Sequence, residues 1–513
     1  MTAICRLTAC LAAAFLVLQP GPAHAQDTSA QDAPAKQGEA DHQPERKATP
    51  SGLFALLPPD SVTRHTIDAA GRKLAYTATA GTLPVRDDKG EEIARVFYTA
   101  YVADGAKPGD RPITFAFNGG PGAGSAYLQL GLAGPYRLDL GNGDGAEAKL
   151  VENPETWLDF TDLVFLDPVG TGYSIAAKPE AAAKQFWGVR QDADYLARLV
   201  DLYLVRNGRM ASPKYLLGES YGGLRAAKIA RALQRDQGVV LQAITMVSPL
   251  IEANMLFGAR GNPLVAALRL PSLGAAELTR KGTFTPTALA EIEQFARTEY
   301  LSTLVGKPPV GEAAATFYGK VAELTGLAEP LVAQYRGLVP IEAMGKHFRA
   351  ADGDIVSLYD ATLAAPDPFP DSEQTRHDDP ALDGFTRAFA GGFAGYAHDQ
   401  LGFKTDLDYR LLAEDVNEKW DWHSGGPNLP GAMDDLRQLL ALDPSLKLTV
   451  AHGYTDLMTA YGISRYLLDH LPEMGEPGRV QLKLYPGGHM LYLVPDSRRA
   501  LTRDVQALYS APK

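Results

Sequence analysis

Cysteine is almost absent from this chain: its 513 residues include two, Cys5 and Cys10. Both lie within residues 1–25, a segment with the features of a secretory signal peptide, so we expect the mature chain to have none. This excludes a cysteine nucleophile and a thiolate metal site. An exported protein without disulfides depends on its hydrophobic core for stability.

The chain also lacks a hydrophobic run long enough to span a bilayer stably. Its leading apolar stretch covers only residues 11–18, whereas a membrane helix needs about 20 residues. Arg6 precedes that stretch, and Ala-His-Ala at 23–25 provides small residues for cleavage. We therefore expect residues 1–25 to be removed, leaving a periplasmic or secreted protein with no membrane span. Residues 26–50 are polar and rich in Pro, Ala and Gln, which predicts a disordered linker.

Positive charge is in short supply. Lys and Arg number 49 against 61 Asp and Glu, and the formal net charge is −12. Nucleic-acid binding usually needs a basic face, so we do not expect it. The sequence has no metal-ligand spacing and no dinucleotide-binding fingerprint, and we expect no metal and no cofactor. Hydrophobic residues make up 45% of the chain, enough for a globular core.

Short apolar runs that end in loops predict a mostly parallel sheet. Helical patterns, such as residues 222–234, lie between some of these runs. Two antiparallel strands are expected ahead of them, from about residue 62. The runs are 113–117, 163–167, 214–218, 243–248, 446–453 and 480–488.

Residues 256–430 interrupt this alternation and predict an inserted helical cap, with 51–255 and 431–513 forming the core. One helix of the cap is well marked, because Thr285 can cap its start and Pro286 suits its first position. Its expected buried face carries Leu289, Ile292, Ala296 and Tyr300.

A candidate nucleophile lies at Ser220, in "GESYG" at 218–222. The pattern G-x-S-x-G between a strand and a helix indicates a sharp turn that exposes the serine hydroxyl. A serine needs a base, and the base needs an orienting acid. Asp456 and His489 each follow a late predicted strand, and we assign them as acid and base.

Three other histidines compete with His489. His452 falls in or near a strand, where a packed structural histidine is expected. His398 and His423 fall in the predicted cap and could line a pocket.

The glycine-rich segment 117–125 directly follows a predicted strand. Its glycines allow the backbone to approach a substrate closely, as an oxyanion hole requires. We expect the donors to be the N–H groups of Gly120 and of Tyr221, the residue after the nucleophile.

Together, several motifs resemble the serine carboxypeptidase family of α/β hydrolases. The resemblance covers about residues 113–260 and 445–495. It implies an α/β-hydrolase fold and a bacterial member of this family. The motifs are "NGGPG" (118–122), "GP" (134–135), "NPETWLDFTDLVFLDPVGTGYS" (153–174), "GESYGG" (218–223), "GYTD" (453–456) and "GGHM" (487–490).

The resemblance implies an exopeptidase that removes C-terminal residues from peptide substrates, often best at acidic pH. In the family, the residues matching Asn118, Gly119 and Glu219 bind the terminal carboxylate of the substrate. A protonated Glu219 could donate a hydrogen bond to that carboxylate, whereas an ionised one would repel it. Met490 matches a residue on the leaving-group side.

The chain departs from the family pattern at two places. A second glutamate commonly precedes the "GP" pair, and here Leu132 takes its position. A half-cystine often follows "NGGPG", and here Ala123 stands there. Leu132 cannot share a proton, so an esterase, amidase or acyltransferase remains an alternative function. An aminopeptidase with an ionised Glu219 is a further variant, and a binding module on an inactive scaffold is a third class.

Overall fold

The computed structural model describes residues 52–141, 145, 147–372 and 379–510. The predicted signal peptide and the whole of the predicted linker lie outside the described residues. The strands are β1 Ser61–Ala69, β2 Arg72–Arg86, β3 Glu92–Ala103, β4 Ile113–Phe117, β5 Tyr136–Asp139, β6 Lys149–Glu152, β7 Asp162–Leu166, β8 Ile175–Ala176, β9 Lys214–Glu219, β10 Ala243–Val247, β11 Asp354–Val356, β12 Ala364–Pro366, β13 Lys447–Gly453 and β14 Val480–Tyr485.

Helices connect and cover the strands. The α-helices are α1 Ala126–Leu128, α2 Pro179–Phe186, α3 Val189–Arg206, α4 Tyr221–Ala232, α5 Asn254–Phe257, α6 Pro263–Arg280, α7 Pro286–Phe295, α8 Leu301–Val305, α9 Glu312–Thr325, α10 Glu329–Gln334, α11 Ile341–His347, α12 Leu382–Asp399, α13 Glu414–Glu418, α14 Met433–Leu442, α15 Tyr461–Asp469 and α16 Pro495–Ser510. π-helical turns are Gln129–Ala133, Leu233–Gln237 and Ala296–Tyr300, and 3-10 turns are Gly52–Leu56, Trp157–Asp159, Ala350–Asp352 and Leu491–Leu493.

One large sheet organises these elements. Its strand order is β1-β2-β3-β7-β4-β9-β10-β13-β14, with the short β8 paired to β3. The strands from β7 to β14 in this order run parallel to their neighbours. The strands β1, β2 and β3 pair antiparallel, and so do β3 and β7. The mostly parallel sheet predicted from the apolar runs is thereby confirmed.

The central strands are buried along their whole length because both faces of the sheet are covered. Every residue of β4, β7, β9 and β10 is buried. A hydrophobic cluster lies on each side of these strands. Buried parallel strands therefore read as continuous apolar runs rather than as an alternation of polar and apolar residues.

The loops that carry the candidate site residues follow the carboxyl ends of parallel strands. Asn118 directly follows β4, Ser220 directly follows β9, and Asp456 and His489 come shortly after β13 and β14. Carboxyl ends of parallel strands meet at one edge of a sheet, which is where such sheets bind ligands. This sheet, with a strand–turn–helix at Ser220, is the α/β-hydrolase fold.

The region between β10 and β13 is mainly helical, with one short hairpin of β11 and β12. The helix α7 begins as expected: the Thr285 hydroxyl accepts the Ala288 N–H at 3.1 Å, and Pro286 is the first helical residue. The face predicted for this helix is buried. No helix of the described ranges is long and apolar enough to cross a membrane. The domain boundaries at 255 and 430 stay a prediction.

The helix α12 packs against the sheet rather than only against other helices of this region. Phe393 lies edge-on to Phe97 of β3 with ring centroids 6.1 Å apart, and Phe389 lies 5.3 Å from the Tyr127 ring. Leu412, further along, forms a β-bridge with Ala123. The segment after α12 therefore buttresses the glycine-rich loop that follows β4.

Asp162 joins two guanidinium groups at the amino end of β7. The Asp162 carboxylate accepts from Arg111 Nε and Arg209 Nη1, each at 2.6 Å. It also accepts the Ala103 N–H at 3.0 Å. Both Asp162 and Arg209 are buried.

Replacing Asp162 by Ala leaves the buried Arg209 charge without its partner. Breaking a buried pair from one side costs about 3–5 kcal/mol, so the free energy of unfolding should fall by that amount. Urea unfolding measures it. The control is Asp68→Ala, which removes an exposed pair with Lys73 and should leave the midpoint unchanged. Equal midpoints for the two variants would contradict the assignment.

Candidate active site

The turn at Ser220 has a strained backbone. Ser220 lies between β9 and α4 with φ 60° and ψ −127°, a region that non-glycine residues rarely adopt. A Cβ on Gly218 would lie 2.0 Å from the Gly222 oxygen, and one on Gly222 would lie 2.5 Å from the Phe117 oxygen. Glycine is therefore required on both sides of the serine.

Hydrogen bonds to neighbouring loops hold this turn in place. The Ser220 N–H donates to the Val247 oxygen at the end of β10, at 3.0 Å. The main-chain carbonyl oxygen of Ser220 accepts from the Gly223 and Leu250 N–H groups, each at 2.9 Å. Such over-determination is what allows a strained residue to persist.

His489 and Asp456 form a buried pair. His489 Nδ1 lies 2.8 Å from Asp456 Oδ2. Asp456 also accepts the Met458 and Thr459 N–H groups and the Thr459 hydroxyl. Burial opposes the charge of Asp456, but the His489 imidazole and these donors outweigh it and lower the pKa of the carboxyl. Asp456 is therefore an ionised, immobilised acceptor.

The backbone and ring of His489 are also fixed. Its N–H donates to the Tyr359 oxygen at 2.6 Å, and its carbonyl accepts the Ser248 hydroxyl at 2.7 Å. Burial opposes the charge of the imidazole, but Asp456 outweighs it, so the pKa of His489 is raised. In the described part of the chain, Ser220 Oγ makes no hydrogen bond to His489. Catalytic hydrogen bonds are often long before a substrate binds.

The competing histidines lie elsewhere. His452 is buried in β13 with its Nε2 2.8 Å from Ser464 Oγ, and burial lowers the pKa of its imidazole to about 4. His398 is exposed and bonds its neighbour Asp399 at 2.7 Å, and His423 is also exposed. Over residues 52–510 outside the undescribed gaps, none of the three bonds Asp456.

The glycine loop after β4 lies directly against the nucleophile turn. A Cβ on Gly119 would lie 2.6 Å from the Tyr221 nitrogen and 2.7 Å from the Glu219 oxygen. Gly120 adopts φ +94°, which favours glycine. No acceptor among the described residues takes the N–H of Gly120 or of Tyr221. Both predicted oxyanion donors are therefore available at one place, although their role stays a prediction.

Glu219 is a buried carboxyl with two donors facing it. Asn118 Nδ2 donates to Oε2 at 2.6 Å, and the Tyr492 hydroxyl lies 2.9 Å from Oε1 and 3.0 Å from Oε2. Burial disfavours the charged form more strongly than His489 and the two donors favour it. The pKa of Glu219 is accordingly raised to about 7.

A buried ion pair holds the other end of Asn118. Arg225 Nη1 donates to the Asn118 carbonyl, and Arg225 Nε donates to Asp192 at 2.6 Å. The guanidinium also lies 5.0 Å from the Tyr221 ring centroid. Arg225 thus ties the glycine loop to the helix that follows the nucleophile.

Tyr492, Thr459 and Arg225 were not predicted as site residues. Thr459 comes three positions after Asp456, where its N–H and hydroxyl can reach the carboxylate, and that spacing is a usable signal. Tyr492 and Arg225 carry no comparable signal, because their partners are distant in sequence. Met490 is half-buried and packs against the aromatic core, and Leu132 is buried.

Residues 71–265 match the model of the serine carboxypeptidase family. Serine carboxypeptidase-like 12 of Arabidopsis thaliana is 25% identical over 37% of this chain and 44% of its own length. The pheromone-processing carboxypeptidase KEX1 of Coprinopsis cinerea is 30% identical over 28% of this chain and 23% of its own length. The chain thus spans less than half of the length of these relatives. A bacterial source stays a prediction.

One solved structure aligns with most of this chain, but its structural similarity is low. The proline iminopeptidase of Mycobacterium smegmatis covers 84% of this chain and 98% of its own, at 16% identity and a TM-score of 0.36. A score this low carries no information on activity.

Removing the Asp456 charge should disable the histidine. Asp456→Asn leaves the imidazole unsupported, so we expect hydrolysis of an N-blocked amino-acid p-nitrophenyl ester to fall by about 10⁴-fold. The matched control is Asp406→Asn, at an exposed aspartate, which should keep full activity. Comparable rates for both variants would exclude Asp456 from the site.

Proposed function

We propose that the chain is an exported serine carboxypeptidase that releases C-terminal amino acids from peptides. The observation that carries the proposal is the buried Glu219 carboxyl, which directly precedes the nucleophile turn and is held by Asn118 and Tyr492. A protonated carboxyl at that place can recognise the terminal carboxylate of a peptide. The match to the serine carboxypeptidase family supports the same substrate class.

The chemistry follows from the arrangement of the side chains. Ser220 Oγ attacks the scissile carbonyl while His489 Nε2 takes its proton, and Asp456 stabilises the imidazolium. The N–H groups of Gly120 and Tyr221 bind the oxyanion. His489 then passes the proton to the leaving amino acid, and water hydrolyses the acyl-enzyme on Ser220. Met490, next to the base, lies on the leaving-group side.

Two protonation states limit the pH range. His489 must be neutral to act as a base, so turnover should fall on acidification through its raised pKa. Glu219 must be protonated to donate to a carboxylate. Its pKa is raised to about 7, so substrate binding should weaken as the pH rises through that value. A bell-shaped dependence of kcat/KM is the expected result.

A second candidate is an esterase, amidase or acyltransferase on the same scaffold. Leu132 favours it, because a buried leucine cannot contribute to carboxylate recognition. An aminopeptidase requires Glu219 to be ionised instead of protonated, since a carboxylate would bind an α-amino group. Its binding would improve as the pH rises through about 7.

An N-blocked dipeptide and its C-terminal amide separate these functions. Between about pH 4 and about pH 8, we expect the KM of the free acid to rise with pH while that of the amide stays flat. Glu219→Gln cannot ionise, so its KM for the acid should lose most of its pH dependence. Glu299→Gln, on the exposed surface, is the matched control. Equal KM values for acid and amide at every pH would exclude carboxylate recognition.

Export is a separate part of the proposal. The pattern of Arg6, the apolar residues 11–18 and Ala-His-Ala at 23–25 supports cleavage after Ala25. Expression of the full chain in a bacterial host should give a periplasmic or extracellular form that begins at Gln26 by mass spectrometry. Replacing Ala23 and Ala25 by bulky residues should block that cleavage. An uncleaved chain in the cytoplasm would contradict export.

A further inference from the structure

The Tyr492 hydroxyl forms its hydrogen bonds with the Glu219 carboxyl. The side chain is fully buried, and its oxygen lies 2.9 Å and 3.0 Å from the two carboxyl oxygens. Within the described ranges, no other group hydrogen-bonds to this hydroxyl. Because Tyr492 has no exposed surface, it cannot touch a substrate and can act only through Glu219.

The Asn118 side chain donates its Nδ2 N–H to Glu219 whether the carboxyl is ionised or protonated. Its Oδ1 accepts the Leu128 N–H at 3.1 Å, which directs its Nδ2 toward Glu219. The amide is therefore a permanent donor. The Tyr492 hydroxyl, in contrast, donates to a carboxylate and can accept from a carboxylic acid. Tyr492 is the partner that can respond when Glu219 gains or loses its proton.

The local packing explains how a tyrosine reaches this place. A Cβ on Gly131 would lie 2.4 Å from Tyr492 Cε2, so the missing side chain provides the space for the ring. The next residue, Leu132, is buried in the same π-helical turn. A polar group thus approaches Glu219 from the segment after His489.

We propose that Tyr492 is a positioning residue that holds the Glu219 carboxyl and shifts the pH range over which free-acid peptides bind. The inference rests on the proposed function. Burial raises the pKa of Tyr492 well above its usual range, so the hydroxyl keeps its proton. Glu219 and Tyr492 therefore exchange a single proton with solvent, at the carboxyl.

The sign of the effect follows from the hydrogen bond. Burial raises the pKa of Glu219, the facing His489 lowers it, and the charge of Asp456 raises it slightly. The Tyr492 hydroxyl stabilises ionised Glu219 and so lowers the pKa of that carboxyl further. Tyr492→Phe removes the donor and should raise the pKa of Glu219. A hydrogen bond to a charged group is strong enough to shift the pKa of that group by about one to two units.

The test measures KM against pH for the N-blocked dipeptide and for its amide. In Tyr492→Phe, the pH at which the free-acid KM rises should move upward by about one unit or more, while kcat and the KM of the amide change little. Tyr127→Phe is the matched control. Its hydroxyl bonds Thr386 at 2.6 Å, and its ring packs in the same aromatic cluster. This variant should keep the wild-type midpoint.

A second variant keeps the hydroxyl in case the phenylalanine variant does not fold. Site-specific 3-fluorotyrosine at position 492 makes a stronger donor, so the midpoint should move downward. An unchanged midpoint in a folded variant, or a KM raised equally at every pH, would overturn the role of Tyr492. If the wild-type enzyme does not distinguish the acid from the amide, the proposed function itself fails, which is a separate outcome.

Discussion

The contact between two backbones, the glycine loop after β4 and the turn at Ser220, is the constraint on which the site depends. Gly119 and Gly222 leave no room for a Cβ, because either one would lie within 2.6 Å of a backbone atom of the facing segment. That contact brings Ser220 and Asn118 together with Gly120 and Tyr221, whose N–H groups are the predicted oxyanion donors. Arg225 stabilises this contact by donating a hydrogen bond to the Asn118 carbonyl.

A second constraint is electrostatic. Burial alone would neutralise both acidic groups of the site, yet they respond differently. Asp456 faces His489 and three donors, so it stays ionised, whereas Glu219 has fewer and weaker partners and its pKa rises to about 7. One carboxyl is thus suited to hold a base and the other to carry a proton. The difference comes from the partners, since both groups are buried.

Local sequence patterns predict most of the secondary-structure elements that form the fold. Apolar runs predict β4, β7, β9, β10 and β13 because a buried parallel strand shows no polar face, whereas β14, at the edge of the sheet, is only partly buried. Thr285 and Pro286 predict the start of α7 through capping, which is a local interaction. The strand order and the packing of α12 against β3 could not be predicted this way. They depend on contacts between residues far apart in the chain.

The sequence by itself determined which chemical groups are available: Ser220 in a glycine-framed turn, Asp456 and His489 after late strands, and Glu219 beside Ser220. Motif spacing suffices there because each strand end delivers its loop to the same edge of the sheet. Only the tertiary structure decided that Glu219 has a partner despite Leu132. That partner, Tyr492, is 273 positions away, and a hydrogen bond between buried groups so far apart leaves no local trace in the sequence.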